Sequence, residues 1–598
     1  MNRRQLLKTM TTGAIASFVP YPLLFANNDR LKSSNVFSLI DKPVSVYISW
    51  ASHDQLSDNV PLTEELAMRE FDALLQLRKQ GVQFDYYLMD MFWFDKNTGF
   101  RSFDKTNWKN GPDRWLNTCK ENGIKPGLWI STNIAGWNDD PWMIPVKEWE
   151  NSRGGWKNLA MSLHSGGFLQ WHIDTLQQWY DRGVRMFKFD FANFEADTPE
   201  NELVLTKDEI RQLNQDAWFY ALKSFKCKNP DVMLLAYNGY GGDSGNTFPK
   251  FNKTVQFRWL EVFDSLYCGD PRPADVPCMN FWRSKDIYSD HMVFQYQYNG
   301  IPLNRIDNTS FMIGTTGTCY FRKKQAWKGM LVLSCARGGW MNTYYGNMDL
   351  LTDEDGKWFA KVQKMFYNLQ EYSHFSTFGA IPGSAQPYGF MAHNQSGALF
   401  TVVNPSQKIL SIDLPKNQFI GSKLLFHDAG YMPVLESQKL SLGAEQMALI
   451  GFGEYANDKY YLGIQEDVFI PNHIEKLDFK VEITGHNKAK ATFIYTGDKD
   501  IRLIFWQTDA EGQPIRISGG SPPNGISVGT LNVLKVQQNK KELPLVINFD
   551  KQIWSGLSWV VAEIKNKDIV RGKPIDLFYS VESEKKCVIR GELYEVSY

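Results

Sequence analysis

Val184-Arg185-Met186-Phe187-Lys188-Phe189-Asp190-Phe191-Ala192 is an apolar run that follows Gly183 and carries one lysine and one aspartate toward its far end. Continuous apolar runs of this length suit a parallel strand buried on both faces. In a barrel of such strands the chemistry sits at the C-terminal mouth, and Asp190 is predicted to be presented there.

Working outward, the same unit recurs on both sides. Pro43–Trp50 reads as a first strand, with Thr63 placed as an N-cap and Leu66, Leu74 and Leu77 at near-helical spacing up to Gly81. Phe84–Trp93 is a second strand, followed by a helix from Asp113 to Asn122 closed by Gly123, and Pro126–Thr132 is a third. A helix with Leu169, Ile173, Leu176 and Tyr180 on one face leads to Gly183 and the opening strand. Beyond it come a helix over Lys207–Phe225, strands at Val232–Tyr237 and Glu261–Tyr267, further candidate strands at Phe311–Gly314 and Met330–Ser334, and a helix capped at Thr352. The alternation predicts an α/β fold, a (β/α)8 TIM barrel over residues 27–375.

After about Gly379 the pattern changes to short strands such as Leu399–Val403, Ile409–Ile412 and Met447–Ile450, separated by turn residues. This predicts a small antiparallel β domain over 376–455. Phe479–Ile483, Ala491–Ile494, Ile501–Trp506 and Ser558–Ala562 predict a C-terminal sandwich-like β domain over 456–598, either carbohydrate-binding, with Trp554 and Trp559 as its test residues, or structural.

Composition narrows the partners. The chain has 65 Lys plus Arg against 66 Asp plus Glu, which gives no electrostatic reason to expect nucleic acid or an anionic membrane surface. With 14% aromatics there are flat faces to spare for stacking on a sugar ring. No later run is long and apolar enough to span a bilayer. Asn2-Arg3-Arg4-Gln5-Leu6-Leu7-Lys8, the apolar stretch Gly13–Phe25 and Ala26 read as a signal peptide over 1–26 of twin-arginine type, with an ordinary secretory signal as the other reading, so export to the periplasm or beyond is expected. The seven cysteines form no CxxC pair and the histidines show no ligand spacing, so no metal and no cofactor are expected; Cys268 and Cys278 are spaced to bridge a loop or to remain free thiols.

Asp90, Asp190, Asp264 and Asp270 all fall at or just beyond the ends of inferred strands two, four and six. Two carboxyls across a glycosidic bond suffice for hydrolysis, one as nucleophile or base and one as proton donor. Each acid taken alone is equally suited to capping the next helix. Trp50, Trp93, Trp129, Trp137 and Trp282 fall near the same mouth, as stacking platforms or as core.

Tyr87-Leu88-Met89-Asp90-Met91-Phe92-Trp93, Lys125-Pro126-Gly127-Leu128-Trp129-Ile130, Phe187-Lys188-Phe189-Asp190-Phe191 and Gly269-Asp270-Pro271, in that order, resemble the α-galactosidase clan, glycoside hydrolase families 27 and 36, over residues 43 to 370. The resemblance implies a retaining α-glycosidase with Asp190 as nucleophile and Asp270 as general acid/base. It also implies that Lys188 and Asp90 contact sugar hydroxyls of an oligosaccharide or polysaccharide substrate; Asn238, Asp264, Trp93 and Trp129, at or near the same inferred mouth, are further candidates for binding it. The family shows Asp-Asp after the second strand where this chain has Asp90-Met91, and Asn238-Gly239-Tyr240-Gly241-Gly242 replaces a Cys- and Ser-containing loop. These departures bear on the sugar, leaving open α-galactose, α-N-acetylgalactosamine or β-L-arabinopyranose, and hydrolysis or transfer. A glycan-binding protein without catalysis is the alternative of another class.

Overall fold

The structure is a computed structural model that describes residues 40–50, 61–137, 140–155, 158–240, 256–268, 281–314, 324–508, 510, 532–547, 559–581 and 586–598. Eight parallel strands form one sheet: β1 (Val44–Ile48), β2 (Tyr86–Met89), β3 (Lys125–Ser131), β4 (Met186–Asp190), β5 (Met233–Ala236), β6 (Ser265–Leu266), β7 (Asp307–Ile313) and β8 (Met341–Gly346). Their order is β6-β5-β4-β3-β2-β1-β8-β7, and a parallel bridge from Leu266 to Ile306 joins the two edges. The result is the (β/α)8 barrel that the strand–helix alternation predicts.

The helices form where local signals ask for them. In α1 (Glu64–Lys79) the Thr63 hydroxyl accepts from the Leu66 amide at 3.1 Å, and α2 (Asp113–Glu121) and α3 (Phe168–Asp181) are followed by Gly123 and Gly183 at φ +64° and +105°. Reciprocal capping boxes open α4 (Lys207–Lys228) at Thr206 and Glu209, and α7 (Asp353–Tyr372) at Thr352 and Asp355. Between them lie α5 (Phe281–Tyr298) and α6 (Trp327–Ala336). Every residue of β1, β2, β4 and β5 is buried, because helices cover the outside and packed side chains fill the inside.

Three expectations are corrected. Met330–Ser334 is not a strand but the middle of α6, whose residues Gly329 to Ala336 are all buried; a short apolar run does not reveal its period when no face is polar. The eighth strand is Met341–Gly346, disguised by Asn342 and Thr343, whose polar groups are bonded inside the protein to Asn308, Gln370 and Asp307. The sixth strand is only Ser265–Leu266, and Phe257–Glu261 before it is a 3-10 helix.

A six-stranded sheet follows the barrel: His374–Gly379, Tyr388–His393, Gly397–Val403, Ser422–Gly430, Met447–Gly453 and Gly463–Ile470. Its last strand pairs in parallel with Ser422–Gly430, so this sheet extends past residue 455. Two five-stranded antiparallel sheets complete the chain, and Ala491 and Phe493 of one share a core with Leu503 and Phe505 of the other, as in a sandwich. Arg502, buried on the central strand of its sheet, donates to Glu563, to Tyr598 and to Gln407 of the preceding domain at 3.0 Å. Among the described residues no helix is long and apolar enough to cross a membrane.

Candidate active site

Asp190 is the last residue of β4, between β3 and β5, and only 7% of it is exposed. Its Oδ1 accepts from the Phe191 amide (2.9 Å), the Asn238 amide (3.2 Å) and Asn238 Nδ2 (2.9 Å), and its Oδ2 accepts from Trp129 Nε1 (3.2 Å). Such N–H donors favour a charged carboxylate and fix its plane. Asn238 reaches Asp190 because Gly239 follows it. At φ +101°, a Cβ on Gly239 would stand 2.2 Å from the Ala192 carbonyl, so only glycine lets the loop after β5 close on the end of β4. The Ala192 amide donates to the Asn238 carbonyl across that contact.

One register level deeper, Lys188 of β4 lies beside Trp129 of β3 and Leu235 of β5. Its ammonium sits 2.7 Å from Oδ2 of Asp90, which follows β2, and 4.1 Å from the centroid of the Tyr237 ring. Asp90 Oδ1 accepts from the Met91 amide, and the Asp90 amide donates to Ser49 Oγ at the end of β1. The Tyr237 hydroxyl donates to Asp307 Oδ2 at 2.6 Å, Thr343 Oγ1 donates to Asp307 Oδ1 at 2.7 Å, and the Tyr345 hydroxyl lies 3.3 Å from that of Tyr237. Burial pushes the Asp307 carboxyl up to about 6, against the pull of its hydroxyl donors and of Lys188 and Arg337, and burial beside Asp307 holds the Tyr237 phenol well above its ordinary range. A polar chain thus runs from Asp90 through Lys188 and Tyr237 to Asp307 inside the barrel.

Two non-glycine residues with left-handed backbone follow these acids closely: Phe92 (φ 76°), two past Asp90, and Phe191 (φ 50°), next to Asp190. Strained backbone that the fold holds in place is concentrated at sites with a task. Both rings are half-buried; Phe92 stacks on Trp50 at 6.5 Å, and Phe191 packs on Trp142 at 5.5 Å.

The expected residues separate accordingly. Asp90, Trp129, Lys188, Asp190 and Asn238 converge on one end of the barrel. Trp129 is buried and serves Asp190 through its N–H rather than as an open platform. Trp93 is fully buried among Phe94, Phe100, Phe103 and Trp179 and donates to the Trp129 carbonyl, so it belongs to the core. Asp264 is corrected as well. It precedes β6 instead of ending it, is fully buried, and accepts from Lys226 Nζ at 2.7 Å and from the Leu234 amide at 2.9 Å, at the opposite end of the strands. Asp270, Cys278, Trp554 and the signal segment lie outside the described residues, as do the side chains of Trp137, Trp282 and Trp559; Cys268 is a buried free thiol.

Phe92, Phe191 and Trp142 escape sequence reasoning, although the first two lie within two residues of the motif acids. Tyr237 ends a predicted strand, and Asp307 carries no local signal at all. On the sandwich, His473, Glu475 and Glu595 bring ligand atoms within 4.8 Å of one another, and Lys499 pairs with Glu595 there at 2.8 Å.

No family model matches the chain, and no curated protein matches it. Among solved structures it is similar to the galactosidase domain of an α-galactosidase–sucrose kinase, with 14% identity over 69% of this chain and 55% of that one and a TM-score of 0.46. It is also similar to a family 36 α-galactosidase from Geobacillus stearothermophilus (12% identity, 68% of this chain and 55% of that one, TM-score 0.45) and to α-galactosidase I from Mortierella vinacea (14%, 70% and 98%, 0.43). The match spans about half the length of the first two.

Proposed function

We propose that the chain is a retaining α-glycosidase, α-galactosidase-like, exported by its N-terminal signal and acting on terminal α-linked sugars of oligo- or polysaccharides. The observation that carries this reading is Asp190 at the C-terminal end of β4, oriented by Trp129 and Asn238, with the Lys188–Asp90 pair one level below it. In this mechanism Asp190 attacks the anomeric carbon while Asp270 protonates the departing oxygen. The glycosyl-enzyme is then hydrolysed by water that gives its proton to Asp270. Lys188 donates from its remaining N–H bonds to sugar hydroxyls, Asp90 accepts from them, and the half-buried rings of Trp50, Phe92, Trp142 and Phe191 offer apolar faces to the ring carbons.

The test is a panel of aryl α-glycosides and free oligosaccharides, including the raffinose and stachyose held by the Geobacillus enzyme. Turnover of at least one member with retention of anomeric configuration, lost in Asp190→Asn, supports the reading. Wild-type turnover by Asp190→Asn on every active substrate overturns it. Product analysis with an added acceptor sugar separates hydrolysis from transfer, and binding without product across the panel returns the protein to the glycan-binding class.

A further inference from the structure

Asp307 is 1% exposed and, among the described residues, makes no ion pair; two hydroxyl groups hold it, one from β8 and one from the end of β5. Burying an acid with no cation in direct contact is expensive, and its charge acts on its neighbours as a neutral group would not. Its donor Tyr237 is held on both faces. One face stacks on Tyr267 at 4.2 Å with the planes 18° apart, and the Lys188 ammonium stands 4.1 Å from the ring centroid.

A phenol that donates to a carboxylate gains electron density in its ring, which strengthens the negative face a cation meets. Lysine is a point charge on a flexible stem and keeps one geometry only if something outside it fixes that geometry. Lys188 has two such anchors, Asp90 Oδ2 on one side and the Tyr237 ring on the other. We propose that Asp307, acting through Tyr237, is a positioning residue that fixes the Lys188 ammonium for the sugar hydroxyls it contacts. The inference rests on the glycosidase reading for its consequence in turnover, but the geometry of Lys188 itself is testable without a substrate.

Asp307 also ties β7 to β8 and β5, so the experiment must separate positioning from mere support. Asp307→Asn keeps the size and an acceptor and removes the charge. Positioning predicts about tenfold lower kcat/KM on the best substrate of the panel, with a smaller loss in Tyr237→Phe, which keeps the ring, and at least as large a loss in Tyr237→Leu, which does not. It further predicts that Asp307→Asn costs nothing more in a Lys188→Met background, whereas a purely structural role lowers activity equally in both backgrounds and overturns the proposal. The substrate-free arm is reductive methylation of the intact protein with labelled formaldehyde, read at Lys188 by mass spectrometry. At least fivefold faster labelling in Asp307→Asn, with surface lysines unchanged, supports the proposal; unchanged labelling at Lys188 overturns it. If no α-glycoside is turned over but the labelling shift is present, the glycosidase reading fails while the Asp307–Tyr237–Lys188 coupling stands.

Discussion

The Asp90–Lys188 pair should behave as a buried unit whose halves cannot be removed separately. The two side chains are 2% and 7% exposed with N and O 2.7 Å apart, and at an effective dielectric near 20 their attraction is ~6 kcal/mol. Desolvation offsets most of that, since each ion gives up several kcal/mol of hydration, so the intact pair adds little net stability. Deleting one partner exposes the imbalance. Lys188→Met should cost about 3–5 kcal/mol at pH 7, Asp90→Leu a similar amount, and the double variant should return to within about 2 kcal/mol of wild type, giving a coupling energy above ~3 kcal/mol. The assay is guanidinium unfolding followed by tryptophan fluorescence. It reports the barrel, because of the 20 tryptophans only Trp506, Trp554 and Trp559 follow it. Single losses that simply add in the double variant would refute the reasoning.

Further perturbations bear on the same structure. Trp129→Phe removes the N–H on Asp190 Oδ2 and should lower kcat by about 10- to 100-fold, while Trp93→Ala should destabilise the barrel by about 3–5 kcal/mol, read as a shifted unfolding midpoint. Glu70 is fully buried, and burial, with Asp349 adding to it, lifts its carboxyl to about 7. The native state keeps a proton there that the unfolded chain loses above its ordinary value of 4.5. That contribution is whole at pH 4 and is lost as pH rises through 7. Glu70→Gln should therefore gain up to ~3 kcal/mol on wild type between pH 4 and pH 8 in unfolding free energy; an equal difference at both pH values would count against it. His172, sealed against Phe168 and Trp218, is held down to about 3 by burial, so its contribution is present above 6.5 and is lost as pH falls toward 3. His172→Phe should hold its melting temperature at pH 4 better than wild type, by the equivalent of up to ~3 kcal/mol.

Much of the barrel was legible because its first five strands are apolar runs bounded by glycines and helix caps, at Thr63, Gly81, Gly123 and Gly183. That Asp90, Lys188, Asp190 and Asn238 meet at one end of the barrel was legible for the same reason, since each lies in or just past one of those strands. Where strands shorten or carry polar residues the pattern fails. Asp264 was misplaced because β6 spans two residues, and the acid falls before it. Met341–Gly346 was missed because Asn342 and Thr343 satisfy their polar groups across the barrel and not with water. The Tyr237–Asp307 contact joins residues 70 apart and depends on how the strands stagger when the sheet closes, which no local pattern records.

The donors that hold Asp190 come from three separate places: the middle of β3, the residue that follows β4, and the loop beyond β5. Until those three segments have met, the carboxylate is an ordinary flexible acid in water. A chain still being made would therefore carry this acid without its fixed geometry. Its fixed orientation would arrive only with the assembled half-barrel, so the geometry of this one acid doubles as a check on its own scaffold.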